Sequence, residues 1–371
     1  MSIDPKFDAV VLQALIDGLP ILDIPRLNVQ NLEESNEFIR AYGYNQDDEK
    51  DATKLWNYYR RAVTFIQSHL LEEGEQIPEA LSDPNQLKDL AYLPIYASTN
   101  DTREVSFQKW PCGILKVIHV LVHLENDLFT AFSSDIQDQI LASYKEHIYQ
   151  DAPSGHLLLG SPNDPEAIPL KRFDTKPFKT STSSVTKLLA KPDEIAFAIL
   201  DKMGVRFVTR NLFDAFAVMR YLTRKNIISY PHIIPDQSTN NLYPLPLFFE
   251  VMESITQNKE ISDKELEDLM RERYLDHGDP SQLRRKRNDF TSADYRFIKF
   301  IVRKLIHINP AHEASKSLSF FYPYEVQIMD YETYLKNLSG PSSHDEYKKR
   351  QIRKARFRIF GWNSLLEEAP I

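Results

Sequence analysis

Apolar side chains recur at helical spacing through the first third of the chain. Trp56, Tyr59, Val63, Ile66 and Leu70 fall at steps of three and four, so they share one face of a helix. Glu72-Glu73-Gly74 closes that helix, with glycine in the usual stop position. Pro78, Pro84 and Pro94 punctuate the way to a second helix over 113–129, and Ser133 or Ser134 caps a third over 135–148. Pro153, Gly155, Gly160, Pro162 and Pro165 then crowd into one short stretch, which reads as a linker over 151–167.

Beyond 168 the pattern changes. A strand over 168–179 is interrupted by Pro177, and a helix capped by Ser183 or Ser184 runs to Ala190. A short helix over 193–200 leads to an apolar strand over 204–209, and Phe213, Phe216, Ala217 and Tyr221 mark an amphipathic helix. Two polar helices lie around 247–257 and 262–274, inside a helical insertion over 227–288. Residues 295–308 alternate as a strand, with one parity nearly all apolar and the other mixed. A second strand covers 318–329, then come a helix from Tyr331, a Gly340-Pro341 break and a basic helix over 344–358. The expectation is an α+β protein: a helical domain over 1–150, the linker, and a mixed-sheet domain over 168–371.

A hydrophobic fraction of 42% and a charged fraction of 26% suit a folded globular chain. Glycine is scarce at 10 residues, which argues against Gly-rich phosphate loops; the nearest match, 155–161, lacks the lysine a P-loop needs. Cys112 is the single cysteine, so neither an internal disulfide nor a structural cysteine zinc site is available, and a reducing compartment is expected. The first 18 residues carry acids and no basic lead, unlike a signal peptide, and no apolar run reaches membrane-spanning length; the chain is therefore expected in the cytoplasm, without a membrane partner. The net charge is −8, divided as roughly −12 over residues 1–150 and roughly +4 over the rest. A polyphosphate ligand is thus expected in the second part.

Three places carry candidate chemistry. Lys179, Ser183 and Lys187 recur every four residues, and Asp201 precedes a strand bearing Arg206. A lone acid before a strand supplies a metal ligand and spaced cations supply phosphate contacts; the competing reading is a solvated basic loop. Glu325 and Gln327 share one face of an otherwise apolar strand, where a carboxylate is costly unless used. Arg284-Arg285-Lys286-Arg287 is either a solvated helix end or a polyphosphate or RNA contact. His119 and His123 share a helix face but lack the glutamate of a zinc helix, so they read as core or boundary histidines.

These blocks together resemble the synthetase domain of RelA/SpoT-type alarmone synthetases, over about 168–350. The first is Lys179, Ser183 and Lys187, followed by Asp201, Gly204 and Arg206. The second is Asn288-Asp289-Phe290 with Tyr295-Arg296-Phe297-Ile298-Lys299. The third is Tyr324-Glu325-Val326-Gln327-Ile328 with Gly340-Pro341-Ser342-Ser343-His344-Asp345-Glu346-Tyr347-Lys348. The chain departs from the family where Pro177 and Met329 replace arginines, and where Thr291 and Ala293 replace a lysine and an asparagine. The first half has no hydrolase histidine–aspartate set, so alarmone hydrolysis is not expected.

The resemblance implies a nucleotidyltransferase-like fold and transfer of pyrophosphate from ATP to the ribose 3′-hydroxyl of GDP or GTP, the chemistry of stringent-response signalling. On that footing Asp201 and Glu325 hold Mg²⁺, and Glu325 either shares the metal or acts as general base. Lys179, Lys187 and Arg206 stabilise charge on the transferred group, and Ser183 donates to a phosphate. Tyr295 stacks on the acceptor base, His344 reaches an acceptor phosphate or ribose, and Lys299 and Gln327 complete the nucleotide-binding set. Three alternatives stay open: an inactive nucleotide- or alarmone-binding regulatory module, a pyrophosphotransferase acting on tRNA, and a helical adaptor.

Overall fold

The fold is described from a computed structural model. It describes residues 16–24, 26–99, 105–126, 128–150, 155, 157–176, 181–191, 199–256, 261–278, 281, 283–284, 295–308, 317–339 and 344–361. The helices used below are α1 (Leu32–Ala41), α2 (Glu49–His69), α3 (Val105–Glu125), α4 (Ser133–Lys145) and α5 (Ser181–Ala190). They continue with α6 (Leu212–Arg224), α7 (Leu245–Thr256), α8 (Asp263–His277), α9 (Tyr331–Asn337) and α10 (His344–Phe360). The strands are β1 (Ile148–Gln150), β2 (Leu157–Leu159), β3 (Ile168–Lys176), β4 (Gly204–Thr209), β5 (Ile233–Asn240), β6 (Ile298–Ile308) and β7 (Leu318–Asp330).

The chain packs as two units. One holds Met1–Thr130, Thr180–Ala198 and Lys348–Ile371; the other holds Ala131–Lys179 and Ile199–Tyr347. This division differs from the one drawn by composition. Helix α5, and α10 from Lys348 onward, fall in the helical unit, while α4 falls in the sheet unit. The stretch 151–167 contains β2, which is hydrogen-bonded into the sheet.

In the helical unit, α2 begins at Asp48, whose side chain accepts from the backbone of Lys50 and Asp51. Its expected apolar face is buried at Tyr59, Val63 and Ile66, with Leu70 just past its end, while Trp56 is half-buried. Helix α3 carries Gly113 where α10 crosses it. A Cβ there would stand 2.6 Å from the Phe360 ring and 2.9 Å from Ile359, so only glycine permits this approach. His119 and His123 lie with ring centroids 4.3 Å apart, and the His119 Nδ1 is 2.7 Å from the Tyr42 hydroxyl. They form an aromatic contact with His119 half-buried and His123 exposed, so they sit at the boundary of the core and not inside it. Among the described residues no group of three or more metal-binding side chains gathers, and no helix is long and apolar enough to cross a membrane.

The sheet unit is α+β, built on a seven-stranded sheet in the order β1-β2-β3-β4-β7-β6-β5. Among the described residues only β4 and β7 run parallel; the other neighbours are antiparallel. On one face Phe173, Phe207 and Tyr324 surround Tyr144 of α4, whose hydroxyl lies 3.0 Å from that of Tyr324. Strand period two therefore sends Asp174, Arg206, Glu325 and Gln327 to the opposite face. Strand β5 lies within the stretch read as a helical insertion. Its sequence, IIPDQSTN, is polar and carries Pro235, which suits an edge strand and hides it from periodicity. The short helix expected over 193–200 falls largely outside the described residues, as do Lys179, Arg285–Arg287 and Asn288–Ala293.

Asp214 in the first turn of α6 provides a test of this packing. Burial pushes its carboxyl up to about 6, Asp263 adds to that, Arg210 opposes it, and Glu267 adds again. A raised carboxyl favours the protonated native state, so stability falls as pH rises from 3.8 through about 6. Asp214→Asn is expected to raise the thermal midpoint at neutral pH and to lose that advantage in acid. Midpoints measured across that range check it, and a pH-independent difference would refute it.

Candidate functional site

Register alone assembles the site. In one row across the sheet Lys176 of β3 faces Gly204 of β4, which faces Glu325 of β7, which faces Ile301 of β6. In the next row stand Asp174, Arg206, Gln327 and Lys299. All lie on the face away from Tyr144.

Glu325 is the centre of this constellation. Only 6% exposed, it accepts a hydrogen bond from Lys176 Nζ, and Lys299 Nζ stands 3.5 Å from its other oxygen. Burial pushes its carboxyl up, but Lys176 and then Lys299 pull it down, against Asp201, and the net result lies well below the ordinary carboxylate range. Asp201 occupies the turn ahead of β4, and its charge is felt at Glu325. Glu325 is therefore an ionised acid held between two cations, with a second acid within electrostatic reach.

Gln327 ties the second row together. Its Oε1 accepts from Arg206 Nε at 2.9 Å and from Lys176 Nζ at 3.1 Å, and its Nε2 donates to the Tyr295 hydroxyl at 3.4 Å. Arg206 also lies 4.0 Å from Asp174, which pairs with Arg172. The segment bearing Tyr295 is clamped twice. Asn241 binds the Tyr295 carbonyl and the Phe297 amide, each at 2.7 Å, and Asn337 binds the Arg296 carbonyl at 2.8 Å. Met329 extends the same face, buried in an apolar cluster with Val208, Phe297 and Tyr334, against which Tyr295 packs.

Glycine at 204 lets this row close. A Cβ there would stand 2.8 Å from the Glu325 carbonyl oxygen and 3.0 Å from its Cβ. Gly204→Ala is expected to spread β4 from β7 and cost about 1–3 kcal/mol, as overpacking does. A thermal midpoint equal to the parent's would show that the strands have slack.

The structure brings together Arg206, Tyr295, Lys299, Glu325 and Gln327, and places Asp201 beside them. Ser183 and Lys187 stand on α5 in the helical unit. Lys179 lies outside the described residues, and of His344 only its place at the start of α10 is described. The sequence reading left Lys176 without a role at Glu325, and Asp174 and Asn241 escaped it. The alternation Arg172, Asp174, Lys176 in β3 is a signal for the first two; nothing local marks Asn241, which acts across 54 to 56 residues.

No family model and no curated protein matches the chain. Among solved structures it is similar to the small alarmone synthetase 2 of Bacillus subtilis, at 14% identity over 66% of this chain and 99% of that one, with a TM-score of 0.28. It is similar to a GTP pyrophosphokinase family protein from Streptococcus pneumoniae at 13% identity, over 65% and 89% of the two chains, with a TM-score of 0.25. It is also similar to the small alarmone synthetase 1 of Bacillus subtilis, solved with its product pppGpp, at 12% identity over 53% and 77%, with a TM-score of 0.26.

Proposed function

We propose that the charged sheet face binds a nucleotide polyphosphate and transfers pyrophosphate from ATP to the ribose 3′-hydroxyl of GDP or GTP. The observation that carries this is the buried, ionised Glu325 held between Lys176 and Lys299, with Asp201 in electrostatic reach. Burying a carboxylate with two cations beside it and a third in the next row is expensive unless the set has a charged ligand to meet. Polyphosphate supplies that ligand. Lys176, Arg206 and Lys299 turn from Glu325 and Gln327 to phosphate oxygens, and Tyr295 offers its ring to the acceptor base.

Mg²⁺ fits the two-acid set. The ion is commonly held by one or two carboxylates with water and substrate phosphates completing its shell, so Asp201 and Glu325 suffice as protein ligands. When bound it supplies charge neutralisation on the phosphates. Glu325 suits this role better than that of a general base, because a carboxyl held so low binds protons weakly at neutral pH.

In the reaction the acceptor 3′-oxygen attacks the β-phosphorus of ATP. The bond between that phosphorus and the bridging oxygen to the α-phosphate breaks, AMP leaves, and the hydroxyl proton passes to solvent. Purified protein with ATP labelled at its terminal phosphate, Mg²⁺ and GDP or GTP tests the proposal; label on the guanine nucleotide is the expected result. Label moving to tRNA instead would reassign the acceptor.

Met329 favours a second reading, in which the face binds nucleotide without transferring. It puts a thioether where the resembled family has an arginine, and burial among Val208, Phe297 and Tyr334 leaves it no phosphate to reach. Nucleotide binding by calorimetry with no label transferred would select this reading.

A further inference from the structure

Strand β6 is held at both ends by side-chain amides. At its far end Gln139 of α4 takes both peptide groups of His307: its Nε2 donates to the His307 carbonyl at 2.8 Å, and its Oε1 accepts from the His307 amide at 3.0 Å. At its near end the ladders with β5 and β7 both begin at Ile298, so Tyr295, Arg296 and Phe297 precede them. Asn241, just past β5, serves one edge of this tripeptide. Its Nδ2 donates to the Tyr295 carbonyl and its Oδ1 accepts from the Phe297 amide, each at 2.7 Å, while its own backbone amide donates to the Phe297 carbonyl at 3.2 Å. Asn337 of α9 serves the residue between: its Oδ1 accepts from the Arg296 amide at 3.2 Å, and its Nδ2 donates to the Arg296 carbonyl at 2.8 Å. Successive residues of an extended chain turn their peptide groups to opposite edges, so the two amides grip the tripeptide from both sides.

The two ends of β6 differ in what they carry. Tyr295 stands half-buried beside the charged row, its hydroxyl accepting from Gln327 Nε2 at 3.4 Å and its ring centroid 5.1 Å from that of Phe297. Asn241 and Asn337 are 6% and 5% exposed. A buried amide is costly unless bonded, and both direct their donor and acceptor to this one tripeptide. The backbone sets where the tyrosine ring starts. Only two torsions then remain, and the contacts with Phe297 and Gln327 restrict them. A ring fixed beforehand gives up little freedom when a base stacks on it.

We propose that Asn241 and Asn337 are positioning residues for the acceptor nucleotide, holding the Tyr295 ring in the orientation that stacks on the base. This role rests on the reading of Tyr295 as the acceptor platform. It touches neither the phosphates nor the metal, so it leaves the donor alone.

The test is calorimetry on the full chain with Mg²⁺ and either GDP or ATP. Asn241→Ala and Asn337→Ala are each expected to weaken GDP at least about fivefold and to change ATP by less than about twofold. Retained ATP affinity also reports that the variant is folded. Gln139→Ala, which removes the same kind of clamp at the far end, is expected to leave both nucleotides within about twofold. Tyr295→Ala is expected to weaken GDP at least about tenfold, as loss of a stacking ring does. Adding Asn241→Ala to it should then cost nothing further, because the amide acts only through the ring. Unchanged GDP affinity in both clamp variants, equal losses for GDP and ATP, an equal loss in Gln139→Ala, or additive losses in the double variant each overturns the proposal. A loss confined to Tyr295→Ala sinks the clamp alone, whereas unchanged GDP binding by Tyr295→Ala sinks the acceptor platform and the clamp with it.

Discussion

Glu325→Gln is expected to reduce the proposed pyrophosphate transfer by at least about a thousandfold, and Asp201→Ala to do the same, since either change halves the acid set proposed to hold the metal. The glutamine is nearly isosteric, so β7 keeps its register with β4 and β6, and a loss of activity cannot be assigned to lost packing. Stability supplies a second readout whose sign follows from the same charges. A carboxyl whose native value lies below its unfolded value stabilises the fold most fully above the unfolded value, and that contribution disappears as pH falls through the native one. The parent should therefore be more stable than Glu325→Gln at neutral pH, and the gap should narrow below about pH 4, near where an unfolded glutamate protonates. Urea midpoints at neutral and acid pH measure it. Full transfer by both variants would refute the assignment of the site. A stability gap that does not change with pH would show that Lys176 and Lys299 do not hold the charge of Glu325.

Part of this was legible before the fold was known. Period-two alternation put Glu325 and Gln327 on one face of a strand, and the register partners of Gln327, Arg206 and Lys299, were singled out as well. Helical spacing similarly exposed the buried face of α2, because a 21-residue helix samples its period many times. Short or polar elements offered no such sampling. Strands β1 and β2 have three residues each, and β5 lies at an edge, mostly polar and without a period-two apolar face. Lys176 was read inside the strand over 168–179, but nothing in the sequence gave the register of that strand against β4 and β7. Yet the register places its ammonium on Glu325. The even spacing of Ser183 and Lys187 with Lys179 gave no sign that α5 packs in the helical unit. That depends on its apolar residues Val185, Leu188 and Leu189, all buried.

Arg358→Met is expected to be the most destabilising of the substitutions considered. The guanidinium is only 6% exposed and serves a carboxylate and two backbone carbonyls. Its Nε pairs with Asp23, and its Nη1 donates to the carbonyls of Leu188 and Leu189, each at 3.3 Å. Those carbonyls belong to the last turn of α5, where the helix has no amides left to satisfy them and where its dipole favours a cation. Methionine fills similar space but leaves Asp23 and both carbonyls unanswered. Breaking a buried pair in this way costs about 3–5 kcal/mol. Lys116 moderates the loss. It feels Asp23 as an attraction and Arg358 as a repulsion, so without Arg358 it gains a larger share of the acid, and the cost falls toward the lower end. Arg356, nearby on α10, is the control. It pairs with Glu72, which is 70% exposed, and with Glu75, which is 25% exposed, and it donates to the Leu70 carbonyl, so Arg356→Met loses one screened contact and two partly covered ones and costs about 1–2 kcal/mol. Urea denaturation of the two variants separates these cases. Equal midpoints would mean that burial of the Arg358–Asp23 pair adds nothing. A cycle with Asp23→Asn then tests the remainder: once the acid is neutral, Arg358→Met should cost only what the α5 carbonyls lose.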